Sequence, residues 1–95
     1  DNLAPVKIGS HCCISQGVYL CTGNHDWSSQ RFELITEPIV IMDGAWLAAK
    51  SIVGPGVTVG EGAVLALGSV ATQDLRAGWI HQGNPASPLR ERPRQ

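Results

Sequence analysis

The chain is poor in charged and aromatic residues, and these shortages exclude several classes of protein. Charged side chains make up only 16% of the 95 residues and the formal net charge is −1, so nothing electrostatic favours binding to nucleic acid or to a membrane surface. No apolar run approaches the roughly 18 residues that a transmembrane helix needs. We therefore expect a single small domain over residues 1–95, with no nucleic-acid partner and no membrane insertion.

Cysteine is also scarce and odd in number, with Cys12, Cys13 and Cys21 as the three thiols. An odd set without paired spacing does not predict a disulfide framework. Cys12 falls at a position where a thiol acts as a small hydrophobic side chain. Because the sequence shows no secretory leader pattern either, the composition favours reduced thiols and a cytoplasmic location.

A six-residue period organises most of the chain, with aliphatic residues at every sixth position in two runs. Such a short fixed period predicts a parallel β-helix, in which each repeat supplies one short strand and one corner. The aliphatic positions, which we expect to point inward, are Ile8, Ile14, Leu20, Ile41, Leu47, Val53, Val59, Leu65 and Ala71. Four places after each of them come mostly small side chains, at Cys12, Val18, Asn24, Ala45, Ser51, Val57, Ala63, Ser69 and Leu75.

Three such hexads make one triangular coil, which predicts coils at 8–25, 41–58 and 59–76. The step from Ile8 to Ile41 is longer than three hexads by the whole of segment 26–40. This segment breaks the period and predicts a loop extruded from the coil directly after His25. The period stops after Arg76, and we interpret the proline-containing segment that follows as a loop folding back as a cap over the last coil.

One outer side of the coils is apolar where a solvated face should be polar. An exposed apolar strip usually marks an interface or a ligand groove. Since the inward column alone forms a thin core, we expect a threefold homo-oligomer with sites between subunits. The strip consists of two columns, Tyr19, Ile52 and Val70 in one and Gln16, Ala49 and Leu67 in the other.

The chain resembles the hexapeptide-repeat acyltransferases in three segments, TGNHD, EPIVIMDGAWLAAKSIVGPGVTVGEGAVLALGSVATQDL and GNPASPLR. The resemblance is strongest to the O-acetyltransferases of colanic-acid-type exopolysaccharide biosynthesis, and next to the maltose and galactoside acetyltransferases. It implies an all-β fold, a left-handed parallel β-helix, assembled as a trimer. It also implies acetyl-coenzyme A as co-substrate, a hydroxyl acceptor on a sugar or other small molecule, and no metal.

His25 matches the catalytic histidine of that family, at the end of a coil just before the extruded loop. An imidazole is suited to remove a proton from an acceptor hydroxyl near neutral pH, while backbone N–H groups hold the developing oxyanion. The alternative interpretation is a solvated loop histidine. His11 and His81 have no comparable context.

The resemblance also assigns residues around the donor and the acceptor. Trp46 matches a tryptophan that walls the acceptor or thioester region, although an outward tryptophan could instead pack on a neighbouring subunit. Ala49 and Leu67 match positions that line the pantetheine arm of the coenzyme. Asn2 falls where relatives often carry Asp near the acceptor.

Three further positions match contacts to the coenzyme. Thr72 matches a threonine that contacts it, and Gln73 stands where the sugar acetyltransferases often have Lys. Arg90 matches a basic residue near the nucleotide end, where a guanidinium suits phosphate, although a solvated tail arginine is equally compatible with the sequence.

Two features favour alternatives to this hypothesis. Met42 replaces the Gly usual in one family hexad, and a start at Asp1 close to the first repeat suggests that N-terminal coils which supply acceptor-binding residues are missing. The alternative is a non-catalytic or truncated β-helix scaffold. A γ-class carbonic anhydrase shares the fold, but its zinc site needs three histidines at a spacing that His11, His25 and His81 do not provide.

Overall fold

The computed structural model describes residues 4–25 and 34–93, and in these ranges the chain forms strands and turns but no helix. Consequently no helix there is long and apolar enough to cross a membrane. The strands build three parallel sheets. The first contains β1 (Val6–Ile8), β6 (Ile39–Ile41) and β9 (Thr58–Val59); the second contains β2 (Cys13–Ile14), β7 (Trp46–Leu47) and β10 (Val64–Leu65); the third contains β3 (Tyr19–Leu20), β8 (Ile52–Val53) and β11 (Val70–Ala71).

The strand register confirms the predicted coil length. Trp46 lies opposite Val64, which is three hexads further along the chain. Cys13 lies opposite Trp46, a longer step that contains one coil and the inserted segment. The third sheet repeats these two steps, from Ile52 to Val70 and from Tyr19 to Ile52. Because each sheet takes one strand from each coil, the chain winds as an all-β parallel β-helix with an insertion after the first coil.

Burial of the inward column differs between the first coil and the next two. Leu47 and Val53 in the second coil are fully buried, whereas Ile8 and Ile14 in the first are 49% and 39% exposed. Within the described part of the chain, strands β1, β2 and β3 pair on one edge only, with the second coil. There the first coil presents both an apolar end face and open strand edges.

The insertion leaves the coil as an antiparallel hairpin. Strand β4 (Gly23–His25) pairs with β5 (Leu34–Thr36), with Asn24 opposite Ile35. The coil then resumes at Ile39, which is fully buried and opposite Val6. The predicted loop boundary at residue 40 is therefore two residues too late, because Ile39 already occupies an inward position. Residues 26–33 of that loop lie outside the described ranges.

The repeats do not stop at Arg76, in contrast to the sequence-based interpretation. Leu75 lies opposite Val59, and His81 lies opposite Leu65, so this last step is two residues short of three hexads. The corner after Ala71 is therefore two residues shorter than the corresponding earlier corners, and the chain continues to wind after it. Strand β12 (Trp79–Gly83) joins the second sheet beside β10, and β13 (Ala86–Glu91) turns back antiparallel to β12.

His81 fills an inward position that aliphatic residues occupy in the coils before it. The ring is 1% exposed, its Nδ1 lies 3.2 Å from the Val64 carbonyl oxygen, and its Nε2 accepts the Arg76 N–H at 2.9 Å. An Nε2 that accepts leaves Nδ1–H to donate to Val64. His81 is thus a hydrogen-bonded core residue that fixes the shortened last turn.

Arg92 fastens the end of β13 to the corner between the first and second sheets. Its guanidinium donates to the carbonyl oxygens of Gly44 and Gly62 at 2.9 and 3.2 Å, and its backbone N–H donates to the Gly78 carbonyl at 2.7 Å. These three glycines have φ between 67° and 72°, and His11 takes the corresponding place in the first coil with φ 57°. One side chain therefore satisfies carbonyl groups from two successive coils.

Two serines one coil apart differ in how their buried hydroxyls are satisfied, and the effects of removing those hydroxyls should differ accordingly. Ser69 Oγ accepts the Gly83 N–H at 3.0 Å, whereas Ser51 Oγ is buried without a partner among the described residues. We expect Ser69→Ala to cost about 1 kcal/mol in the free energy of unfolding, and Ser51→Ala to be neutral or stabilising. Urea denaturation of both variants measures the change in the free energy of unfolding. Equal losses in the two variants would contradict the conclusion that only the Ser69 hydroxyl has a hydrogen-bond partner.

Candidate active site

The corner between the second and third sheets carries one column of the apolar strip predicted from the sequence, Gln16, Ala49 and Leu67, while the other column lies on the third sheet. Ala49 and Leu67 occupy equivalent places in successive coils, since the Gly68 N–H donates to the Ala49 carbonyl at 3.0 Å. In the same way the Lys50 N–H donates to the Gln16 carbonyl, again at 3.0 Å. Ala49 is half-buried and Leu67 is 73% exposed. This corner therefore offers a ligand an apolar ridge that runs along the helix axis.

Trp46 flanks this corner from strand β7. The indole points outward and is 43% exposed, and its Nε1–H donates to the Ser15 hydroxyl in the first coil at 3.3 Å. An outward aromatic ring thus lies on the second sheet, and its polar edge is fixed by the first coil. The partnership with Ser15 was not predicted from the sequence, because neither residue breaks the repeat pattern.

Thr72, Gln73 and Arg90 lie elsewhere on the coil surface. Thr72 and Gln73 directly follow β11, at the next corner, and both are exposed. Arg90 is exposed in β13 opposite Ile80, which in turn lies opposite Val64 at the start of β10. Leu67 follows the other end of β10, so the backbone of Arg90 is not adjacent to the Ala49–Leu67 ridge.

His25 lies at a different corner from the ridge. It ends β4, opposite Leu34, where the hairpin leaves the corner between the third and first sheets. One six-residue side of the coil separates the two corners, roughly 15–20 Å at the rise of an extended strand. A single copy of the chain therefore does not bring the backbone of His25 to Ala49 and Leu67. Asn2 lies outside the described residues.

Tyr19 is the aromatic residue in the strands of the third sheet. Its side chain is 60% exposed and lies in a column with Ile52 and Val70. Interaction with Cys21, first through a side-chain hydrogen bond and then through charge repulsion, raises the pKa of Tyr19 above its ordinary value. The phenol is consequently a neutral hydrogen-bond donor throughout the physiological pH range. The Cys21 thiol itself donates to the Gly23 carbonyl at the base of the hairpin, at 3.0 Å.

Residues with metal-binding side chains are dispersed. Within residues 4–25 and 34–93 no three His, Cys, Asp or Glu side chains converge as a metal site would require. His11 lies at the corner between the first and second sheets, where it lines a groove of about 490 Å³ with Asp43 and Glu61, and His81 is in the core. The groups that these residues offer to a ligand are therefore an apolar ridge, an outward tryptophan ring and exposed polar side chains.

Comparison with solved structures finds that the fold of this chain is similar to that of a hexapeptide-repeat acetyltransferase. This enzyme from Vibrio cholerae, solved in complex with acetyl-coenzyme A, superposes with a TM-score of 0.89 and 34% sequence identity. The superposition covers 96% of this chain and 51% of that one. No family model matches the sequence.

Sequence comparison identifies homologues with more specific names. The chain is 47% identical over 90 residues to the Escherichia coli protein named colanic acid biosynthesis acetyltransferase WcaF, covering 95% of this chain and 50% of the relative. It is 32% identical over 89 residues to the galactoside O-acetyltransferase of Escherichia coli, covering 90% of this chain and 44% of that enzyme. The chain therefore spans about half the length of these relatives, and the resemblance to both groups is confirmed.

Proposed function

We propose that this chain is the β-helical part of an acetyl-coenzyme A-dependent O-acetyltransferase that modifies a sugar or another small hydroxyl acceptor. The observation that carries the proposal is the superposition of nearly the whole chain on an acetyltransferase solved with acetyl-coenzyme A, at a TM-score of 0.89. The similarity to a galactoside O-acetyltransferase, which covers 90% of this chain, supports oxygen as the accepting atom. The scaffold alternative has no comparable support.

In this proposal His25 is the general base. Its imidazole takes the proton of the acceptor hydroxyl as that oxygen attacks the thioester carbon, and the coenzyme thiol leaves with a proton. Backbone N–H groups near the reacting carbon stabilise the oxyanion. The position of His25 at the end of β4, where the hairpin leaves the coil, supports this role because residues on an excursion can reach beyond their own coil.

The Ala49–Leu67 ridge is proposed to line the pantetheine arm of the donor. An exposed leucine next to a small half-buried alanine suits a flexible apolar chain laid along the axis. Trp46 is proposed to wall the acceptor or thioester region. Asn2 is proposed to act near the acceptor because it falls where relatives often carry Asp. The proposed contacts to the polar parts of the coenzyme are Thr72, Gln73 and Arg90.

The separation of His25 from the ridge supports a site built from two chains. If the ridge of one subunit faces the hairpin of its neighbour, both halves meet across an interface, as a cyclic trimer allows. We propose a homotrimer on this basis, with the left-handed winding that the resemblance to hexapeptide-repeat acetyltransferases implies. The extruded loop and the C-terminal cap are also proposed, and these come from the hexad spacing. A cytoplasmic location is likewise proposed.

The exposed end of the first coil supports the further proposal that N-terminal coils of a longer protein stack on it. Ile8 and Ile14 are half-exposed at inward positions that are fully buried one coil later. Among the described residues, the strands of the first coil also have unpaired edges on this side. An additional coil would cover both features and bring acceptor-binding residues toward the site.

Coenzyme A titration tests the donor site, with a matched pair of charged substitutions. We expect the wild-type protein to bind coenzyme A with a Kd between about 1 μM and 1 mM. Leu67→Glu should weaken binding by tenfold or more, because it places a carboxylate on the apolar ridge beside an anionic ligand. Met42→Glu makes a comparable change at an exposed apolar residue on the corner between the first and second sheets, and it should have no effect. Equal losses of affinity from both substitutions, or no binding by the wild type, would contradict the proposal that the Ala49–Leu67 ridge binds coenzyme A.

Mixing two defective variants, assayed at an acetyl-coenzyme A concentration well below the Kd of Leu67→Glu, tests whether each site is shared. Co-expressed His25→Ala and Leu67→Glu chains should recover about a quarter of the wild-type activity, since half of the hairpins and half of the ridges in random trimers are intact. If each site lies within one chain, every site carries one defect and the mixture remains inactive. Wild-type activity without a trimer in sedimentation would also contradict the shared site.

A further inference from the structure

We propose that Ser15 is a positioning residue that holds the Trp46 indole as a wall for the acceptor. This inference rests on the proposed function and adds a residue that neither the repeat pattern nor the resemblance indicates. The observation behind it is the hydrogen bond from the Trp46 Nε1–H to the Ser15 hydroxyl, 3.3 Å long, which joins the first and second coils.

The backbone already fixes Ser15 against the strand that carries Trp46. The Ser15 N–H donates to the Leu47 carbonyl at 2.9 Å, and the preceding Cys13 and Ile14 lie opposite Trp46 and Leu47. The serine hydroxyl therefore needs to adopt only one rotamer to meet the indole. Little side-chain entropy opposes the contact, since serine has a single side-chain rotation that matters here.

The hydrogen bond has a directional consequence for the ring. An indole N–H donates and never accepts, so Ser15 supplies the complementary oxygen. An outward tryptophan that is 43% exposed could otherwise occupy several rotamers. With its polar edge turned toward Ser15 in the first coil, the indole keeps one orientation on the outer side of the second sheet. A fixed aromatic face suits the apolar face of a sugar ring.

Positioning predicts an effect on the acceptor and not on the donor, whose apolar ridge does not include Ser15. Two substitutions of nearly equal shape distinguish the effect of the Ser15 hydroxyl from the effect of a larger side chain. Ser15→Thr keeps the hydroxyl, whereas Ser15→Val has the shape of threonine without it. We expect Ser15→Val to raise the acceptor KM about fivefold, the factor that corresponds to the loss of one neutral hydrogen bond. Ser15→Thr should stay within about twofold of the wild type, and the Kd for coenzyme A should be unchanged in both.

A spectroscopic measurement reports on the indole itself and does not depend on activity. The near-ultraviolet circular dichroism of Trp46 is obtained by subtracting the spectrum of a Trp46→Phe variant, since the chain has two other tryptophans. This signal should fall by about half or more in Ser15→Val and persist in Ser15→Thr, because a ring released from one rotamer averages its optical activity.

The two readouts separate failure of this inference from failure of the proposed function. An unchanged Trp46 signal in Ser15→Val overturns the positioning role, whatever the enzyme does. A raised KM for acetyl-coenzyme A in place of the acceptor overturns the assignment of the wall to the acceptor. The wild type could also transfer no acetyl group while the Trp46 signal behaves as expected. In that case the proposed reaction and the role of Trp46 as an acceptor wall are both wrong, and only the Ser15–Trp46 contact is supported.

Discussion

Replacing His25 with Ala should lower the rate of acetyl transfer by about two to four orders of magnitude, the usual contribution of a general base. The wild-type rate should rise with pH because a general base acts only when it is deprotonated, and the residual rate of the variant should lack this rise. Coenzyme A should still bind, since the apolar ridge of Ala49 and Leu67 is untouched. Steady-state kinetics across pH, together with a binding titration, measure all three outcomes.

The control for this experiment is a second histidine outside the proposed site. His11 is exposed, lies at another corner and adopts φ 57°, a backbone conformation that Asn tolerates well. His11→Asn should therefore transfer acetyl groups at the wild-type rate. A His25→Ala variant with the wild-type rate, or an equal loss in His11→Asn, would refute the assignment of the base.

Replacing Leu47 with Ala should lower the free energy of unfolding by about 2–5 kcal/mol, the range for a buried leucine that leaves a cavity. Leu47 is fully buried, between Ile14 in the coil below and Leu65 in the coil above. Both neighbours belong to backbones fixed by interstrand hydrogen bonds, which limits collapse of the cavity. Chemical denaturation followed by circular dichroism measures the change.

Ile14→Ala provides the matched control in the same inward column, one coil away. Because Ile14 is 39% exposed on the open end of the first coil, its truncation leaves a notch and not a closed cavity. The expected cost is less than half of that for Leu47→Ala. In a longer protein with a further coil stacked on this end, the Ile14→Ala cost should rise toward the Leu47 value. Similar costs at both positions in the present chain would contradict the exposed end.

The predicted effects assign different roles to the coils and to the hairpin of β4 and β5. The coils hold a rigid apolar ridge through repeated strand pairing, and the hairpin carries the proposed base away from its own coil. Since the ridge and His25 occupy different corners, assembly is proposed to create the active site. Activity should consequently depend on protein concentration below the dissociation constant of the oligomer, which dilution assays can measure.

The residues of the candidate site could be predicted from the sequence to very different degrees. Trp46, Ala49 and Leu67 were identified as outward residues because a residue's place in the hexad determines which way it points, and the structure shows all three at the surface. Ser15 was not identified, since its importance lies in the distance from its hydroxyl to the Trp46 indole. The grouping of Thr72, Gln73 and Arg90 remains a prediction.

The sequence by itself determined the class of fold, the inward columns and the length of the coil. These follow from side-chain volume at fixed spacing, because only a residue of suitable size can stack under the next coil. The step of three hexads from Trp46 to Val64, and the longer step from Cys13 to Trp46, therefore appear unchanged in the strand register. The insertion after the first coil follows from the same spacing.

Only the tertiary structure decided where that winding shortens and how it ends. The last step falls short of three hexads because Leu75 pairs with Val59 after a shortened corner, which no hexad count reveals. His81 can replace an aliphatic residue in the core because the Val64 carbonyl and the Arg76 N–H satisfy both of its ring nitrogens. A polar side chain is compatible with the interior only when such partners are in place, and their placement is a property of the folded coils.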